Sequence, residues 1–374
     1  MKQPDSQKIE QQVTSVDLVL PELHKGDATG NHTRLIQQLL KNQGISTRIV
    51  IAHKYNKQGV VNNSNAADAN IITLNEWTAS ADFTILQHSI TSQCVDHIIQ
   101  KNIPIILNYH NVTPAKFFES WNPQFASVLE ASRQQLDKLA PLTIRAIADS
   151  HFNAAELKAL GIRDVKVVPV LWCLNTLRTQ SPPAPSAIPA DSGNILFVGR
   201  IAPNKCQHDL IKALSVLSQF RPKATLMLVG EPSPPAYQHA LKNLTQHLGL
   251  TSQVTFTGKV SDNELRRHYE SADVFLSASE HEGFGVPLVE AMSMGLPAVA
   301  YAAAAIPETL GGSGLLLNDK SPATLGCTLQ RILSDNNLRK TLRDYGIESA
   351  RRFDISATSE QMWNALQDLL EANR

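Results

Sequence analysis

Cysteine is scarce in this chain. Cys94, Cys173, Cys206 and Cys327 are the only four in 374 residues, and no two share a paired spacing. That argues against a disulfide framework and against a cysteine-built metal site. Charge of one sign is missing too: 34 basic residues face 34 acidic ones. The chain therefore offers no bulk attraction to nucleic acid or to an anionic membrane, which leaves room only for a local patch. No apolar run reaches the ~18–20 residues of a membrane span. The first ten residues, MKQPDSQKIE, carry no apolar signal core. These absences point to a cytoplasmic protein, at most peripherally associated with the inner face of a membrane. An Asp-x-Asp pair is absent throughout, as is any internal repeat.

What is present is a two-domain α/β pattern. A chain of this length exceeds one ordinary core, and 43 % hydrophobic with 18 % charged residues is a globular composition. Residues 16–20 (VDLVL) read as a strand. A helix over about 32–42 follows, with Leu35, Ile36, Leu39 and Leu40 on one face, and 47–51 (TRIVI) is the next strand. That order is a βαβ unit and predicts a parallel sheet. Further strands are read at 83–87, 104–109, 143–148 and 165–170, and residues 54–69 as a polar surface loop. A proline-rich connector at 179–193 divides the chain. The expected domains are 1–178, then 194–355, with a C-terminal helix at 356–374. In the second half, strands are read at 195–198, 225–230, 254–260, 273–276 and 298–301. Gly199, Gly230, Gly258 and the loop bearing Glu282 all fall at strand C-termini, the edge where open α/β sheets bind ligands.

The most informative stretch is 277–295, SASEHEGFGVPLVEAMSMG. Glycines let the backbone approach a ligand closely, and Pro287 suits the start of a helix. The N–H groups at such a start attract an anion such as phosphate. Carboxylates beside a phosphate would repel it, so Glu282 and Glu290 must serve another part of the ligand. An ionised carboxylate accepts hydrogen bonds from neighbouring hydroxyls, so a sugar nucleotide fits: diphosphate on the helix end, one polyol near each glutamate. The plainer alternative has Glu290 complementing the helix dipole and Glu282 in solvent. Arg200 and Lys205, on the loop after the first strand of the second half, add two cations for the same diphosphate.

Glu282 and Glu290, with seven residues between them in EGFGVPLVEAM, resemble the EX7E motif of the retaining family 4 glycosyltransferases. The resemblance implies a GT-B fold, two Rossmann-like domains with parallel sheets facing across a cleft. It implies a nucleotide-diphosphate sugar as donor substrate, with no cofactor and no metal. The expected activity is retaining, metal-independent transfer of a hexose to a hydroxyl of a glycan, glycolipid or small molecule. A GDP-mannose, UDP-glucose or UDP-GlcNAc type of donor would serve. The same resemblance gives His110, just past a strand end, a place beside the donor sugar. It groups His110, Glu282, Arg200 and Lys205 as catalytic residues. Donor binding falls to Gly30, Gly199, Gly258, Val260, Gly283, Phe284, Gly285, Val286 and Glu290, with Glu290 on the ribose and Glu282 on the hexose. Asp27 and Asn31 lie on the acceptor side, although Asp27 also reads as a helix cap. Where relatives carry two adjacent glycines, this chain has Gly30 followed by Asn31. Two other readings stay open: a GT-B epimerase or phosphorylase, and a sugar-nucleotide-binding subunit without catalysis. An aromatic cluster at Phe117, Phe118 and Trp121 reads as core beneath a loop.

Overall fold

The computed structural model describes residues 15–23, 28–53, 70–173 and 187–371. Asp27, the polar segment 54–69 and most of the proline-rich connector lie outside the described residues. Two parallel sheets organise the molecule. The first contains β1 (Ser15–Leu20), β2 (Ser46–Ile51), β3 (Ile71–Thr73), β4 (Phe83–His88), β5 (Ile105–Tyr109), β6 (Thr143–Ala148) and β7 (Val165–Val167). Its strand order is β3-β2-β1-β4-β5-β6-β7. Helices α1 (Ala28–Asn42), α2 (Gln93–Lys101), α3 (Pro123–Leu139) and α4 (His151–Ala159) connect them. The central strands read as near-continuous apolar runs because both faces are covered; Leu18, Ile49, Leu86 and Leu107 are fully buried.

The second sheet contains β8 (Ser192–Val198), β9 (Lys223–Val229), β10 (Val254–Gly258), β11 (Val274–Ser277), β12 (Ala298–Tyr301) and β13 (Leu315–Leu317). Its order is β10-β9-β8-β11-β12-β13. Between these strands run α5 (Gln207–Leu217), α6 (Pro235–His247), α7 (Asp262–Ser271), α8 (Val286–Ser293) and α9 (Ile306–Leu310). Each sheet reverses its winding once, between β1 and β4 and between β8 and β11. Such a switch point opens a crevice at the strand C-termini. The loops after β8 and β11 carry Lys205 and Glu282, so topology alone brings these two loops side by side.

Three helices close the chain: α10 (Pro322–Ser334), α11 (Asn336–Ala350) and α12 (Ile355–Glu371). Helix α12 returns to the first sheet, where Met362 and Leu366 are fully buried in one cluster with Leu18, Ile36 and Ile49. Burying each such side chain is worth roughly 1.5–3 kcal/mol. Arg145 on β6 fastens the helix, donating to the Ala365 carbonyl at 2.8 Å and to both oxygens of Asp368.

The structure shifts three local expectations. Helix α1 starts at Ala28, so Gly30 and Asn31 lie inside its first turns and not in the loop before it. Burial of His32 and Thr33 wins over the glycine's preference for a loop. Pro287 occupies the second helical position of α8, after Val286, which moves Glu290 one turn into the helix. The aromatic cluster divides: Phe118 is core, edge-on to Phe125, whereas Trp121 crosses to the other half and meets Tyr237 edge-on at 5.0 Å.

Candidate active site

The chain turns at the end of β8 through Gly199 and makes a single 3-10 turn at Pro203–Lys205. Cys206, in the left-handed conformation at φ 52°, then leads into α5. Asn204 fixes this loop to the next one. Its Nδ2 donates to the His281 carbonyl at 3.2 Å, and its own carbonyl accepts from the Glu280 amide at 2.9 Å. Clamped in both directions, the loops bring the Lys205 Nζ to 2.5 Å from the Glu282 Oε2. Both side chains are mostly buried, at 15 % and 17 % exposure, which limits solvent screening of the pair. Arg200 is exposed beside them and has no ion-pair partner among the described residues.

From Glu282 the backbone runs against the first half of the molecule. The Ser150 hydroxyl donates to the Gly283 carbonyl at 2.8 Å, and the Thr309 hydroxyl to that of Phe284 at 2.6 Å. Glycine is required at 283, since a Cβ there would stand 2.8 Å from the Asn111 Cβ and 3.0 Å from the His110 carbonyl. Gly285 adopts φ 98° and precedes α8. Among the described residues, the amides of Gly283, Phe284, Gly285 and Val286 have no acceptor. The side chain of Phe284 points away, edge-on to Phe353, so this residue can offer the loop only its backbone. Val260 and Val286 are half-buried against the same apolar cluster as Phe284, and Gly258 turns the chain at φ 70°.

Glu290 differs from the open carboxylate that ribose recognition suggests. It is 3 % exposed. The Trp172 Nε1 donates to its Oε1 at 3.0 Å and the Tyr269 hydroxyl to its Oε2 at 2.8 Å. Burial raises its pKa from 4.5 to about 7, against the opposing pull of those two donors. A raised folded-state value means that stability from this group is fully present below pH 4.5 and is lost as pH climbs through about 7. Glu290→Gln keeps the shape and removes the charge. Denaturant titrations should therefore find the variant gaining on the parent between pH 5 and pH 8, by a difference on the order of 3 kcal/mol. A difference that stays constant with pH would refute the buried ionisation.

His110 sits just past the end of β5, with both ring nitrogens engaged inside the first half. Its Nδ1 lies 2.9 Å from the Asp149 Oδ2, and its Nε2 2.7 Å from the Gln87 side-chain amide. His32 packs edge-on against it, with ring centroids 5.1 Å apart. Burial drives the His32 pKa well below 6.5, so this ring is neutral. Its Nδ1 accepts from the Leu171 amide at 2.9 Å, which puts the proton on Nε2. The Asn108 amide 2.7 Å away must then present its oxygen to that proton. Turning the Gln87 amide in the same sense pairs its buried, otherwise partnerless Nε2. His110 then donates from Nδ1 to Asp149 and accepts at Nε2. His110 is thus a held ring, and it touches the cleft through its backbone carbonyl beside Gly283.

The sequence reading therefore finds Lys205, Glu282, Arg200 and the 283–286 amides gathered at one switch point, with the His110 carbonyl facing them. It misses Asn204, Asp149 and Trp172. A strand-end Asp149-Ser150 was the available signal for one of them. Among the described residues, the one His/Cys/Asp group close enough to hold a metal is Cys206, His208 and Asp209. The Lys320 ammonium already sits there, 3.2 Å from the Cys206 Sγ and 3.0 Å from the Asp209 Oδ2.

Residues 180–349 match the family of glycosyl transferases group 1. A D-inositol 3-phosphate glycosyltransferase of Corynebacterium efficiens is 32 % identical over 180 residues, 47 % of this chain and 42 % of that protein. Across three such relatives the chain covers 42–45 % of their length. Among solved structures, sucrose-phosphate synthase from Thermosynechococcus elongatus superposes with a TM-score of 0.73 at 20 % identity, covering 96 % of this chain and all of that one. HepE from Anabaena, in complex with UDP and glucose, gives 0.69 at 20 % identity over 95 % of this chain and 100 % of that one. No helix among the described residues is long and apolar enough to cross a membrane. Residues 180–349 thus carry the match to the group 1 glycosyl transferases, and the two parallel sheets form a GT-B fold.

Proposed function

We propose that this protein transfers a hexose from a nucleotide-diphosphate sugar to a hydroxyl acceptor with retention of configuration, and needs no metal or cofactor to do so. The observation that carries the reading is the group at the β8 and β11 ends: Lys205 against Glu282, Arg200 exposed beside them, and four amides without acceptors at the start of α8. Preorganised cations and N–H groups aimed at one place stabilise the negative charge that grows on a departing diphosphate. Glu282 holds the hexose once Lys205 turns to the phosphate, and Glu290 serves the ribose. The acceptor enters from the first half, past His110 and the start of α1. Attack comes from the face the diphosphate leaves, and a phosphate oxygen takes the acceptor proton.

The named relatives act, by their names, on an inositol phosphate, and HepE binds UDP and glucose. Polyol phosphates as acceptors and UDP-glucose as donor therefore head the list of trials, with GDP-mannose and UDP-GlcNAc next. The test is a thermal-shift screen against UDP, GDP and ADP sugars followed by transfer assays in EDTA. A ligand at 100 times its Kd should add about 2.7 kcal/mol of stability. Turnover of donor without acceptor would point to an epimerase or phosphorylase. Binding without turnover under any acceptor would leave a sugar-nucleotide-binding subunit. Loss of transfer in EDTA, restored by Mg²⁺ or Mn²⁺, would overturn the phosphate assignment.

His110→Ala separates the two halves of the site. Because Asp149 and Gln87 hold the ring and so fix the carbonyl beside Gly283, removing the ring should loosen that backbone and slow turnover while nucleoside-diphosphate Kd stays within a few-fold. A tenfold loss of nucleotide affinity in calorimetry would instead place His110 in the phosphate shell.

A further inference from the structure

The segment between the two halves does more than connect them. After β7 it runs through Val168, buried with the first sheet, to Val170, buried with the second. Its next two residues face opposite ways. The Leu171 amide donates to the Nδ1 of His32, whose ring stands edge-on to His110. The Trp172 indole N–H donates to Glu290. Glu290 has little room for a further partner: Tyr269 takes its other oxygen, and the residue is 3 % exposed. Yet Glu290 is the carboxylate assigned above to ribose, and a ribose diol needs an acceptor oxygen it can reach.

We propose that Trp172 is a positioning residue of the donor site. Its indole holds the Glu290 carboxylate while no donor is bound, and the donor's ribose hydroxyls take its place, so that donor arrival is felt by the segment that also bears on His32 and His110. The inference rests on the sugar-nucleotide reading of Glu290. The chemistry of the exchange is balanced, since one N–H donor leaves the carboxylate as hydroxyl donors arrive, and no buried charge is left unpaired. Trp172 is half-buried and so has a free side toward which to move, whereas Tyr269, fully enclosed, stays. The release runs along contacts already present: Trp172 to Leu171 by covalent succession, Leu171 to His32 by hydrogen bond, His32 to His110 by ring contact.

Trp172→Phe tests this directly, because phenylalanine keeps the aromatic packing and removes only the N–H. The probes are the tightest-binding of UDP, GDP and ADP, together with the 2′,3′-dideoxy form of that nucleotide. In the parent, tryptophan fluorescence should change on saturation with the ribonucleotide and not with the dideoxy form. The change should be missing in Trp172→Phe, which identifies Trp172 among the four tryptophans as its source. The variant should bind the ribonucleotide about 3- to 10-fold more tightly, the factor for one hydrogen bond that no longer has to be surrendered. Its affinity for the dideoxy form should not move. An unchanged or weakened ribonucleotide Kd in Trp172→Phe, with the parent still preferring ribose over dideoxyribose, would overturn the exchange and leave the donor site standing. A parent that binds both forms equally, or none of the three nucleotides, would remove ribose from Glu290 and this inference with it.

Discussion

Lys205→Ala should lower kcat by roughly 10²–10³-fold, the scale for deleting one preorganised stabilising group, with a smaller change in donor KM. The reason lies in how the ammonium is held. Asn204 pins its loop to the Glu282 loop, so Lys205 is in position before any donor arrives, with Glu282 as its temporary partner. On the function proposed above, an entering diphosphate brings to this ammonium oxygens whose charge rises as the glycosidic bond breaks. An interaction that strengthens between ground state and transition state raises kcat, and one that does not only lowers KM. The substitution has a second effect that geometry adds: Glu282, only 17 % exposed, loses its counter-ion in the donor-free protein. Lys205→Arg should recover only part of the loss, because a planar fork does not replace a compact charge on a single 3-10 turn. Combined with Arg200→Ala the effect should be non-additive, since both cations act on one anion. A Lys205→Ala enzyme turning over within threefold of the parent would take this residue out of the site.

Much of the second half was legible in the sequence because its signals are local. Gly285 and Pro287 stand within one loop and one helix turn, and each has a backbone reason visible from neighbours in the chain, whereas the need for glycine at 283 comes from His110 and Asn111 far away in sequence. Strand ends were equally readable, since Gly199, Gly230 and Gly258 punctuate apolar runs. What stayed hidden depends on partners far away in sequence. Trp172 reaches Glu290 across 118 residues, and His281 reaches Asn111 across 170. No periodicity encodes such meetings. The start of α1 was misplaced for a related reason: Gly30 speaks for a loop locally, while the burial of His32 against the first sheet, a tertiary effect, extends the helix back to Ala28. Glu290 shows the limit most clearly. Its spacing from Glu282 points to a ligand, but only the fold shows that a tyrosine and a tryptophan hold it first.

Gly230→Ala should destabilise the second half of the chain by about 2–4 kcal/mol, combining a disfavoured backbone conformation with overpacking against main chain. Gly230 lies at the end of β9 with φ 145°, and a Cβ built there would fall 2.0 Å from the Gly199 carbonyl oxygen. No side-chain adjustment relieves that contact, because the obstacle is backbone. The two glycines approach so closely since Gly199 donates to the Val229 carbonyl at 2.9 Å while Gly230 donates to that of Gly258 at 3.0 Å, which ties three strand ends into one ledge. Arg200 follows directly on that ledge, so pushing Gly199 aside also moves the cation loop. The comparison that isolates the cause is Gly258→Ala, where φ is 70° but nothing stands within 4 Å of the added Cβ. That variant should lose only about 1 kcal/mol, the strain of a left-handed alanine. Denaturant midpoints of the two variants, measured with unchanged m-values, decide the matter. Equal losses would mean that backbone conformation alone, and not the Gly199 contact, governs position 230.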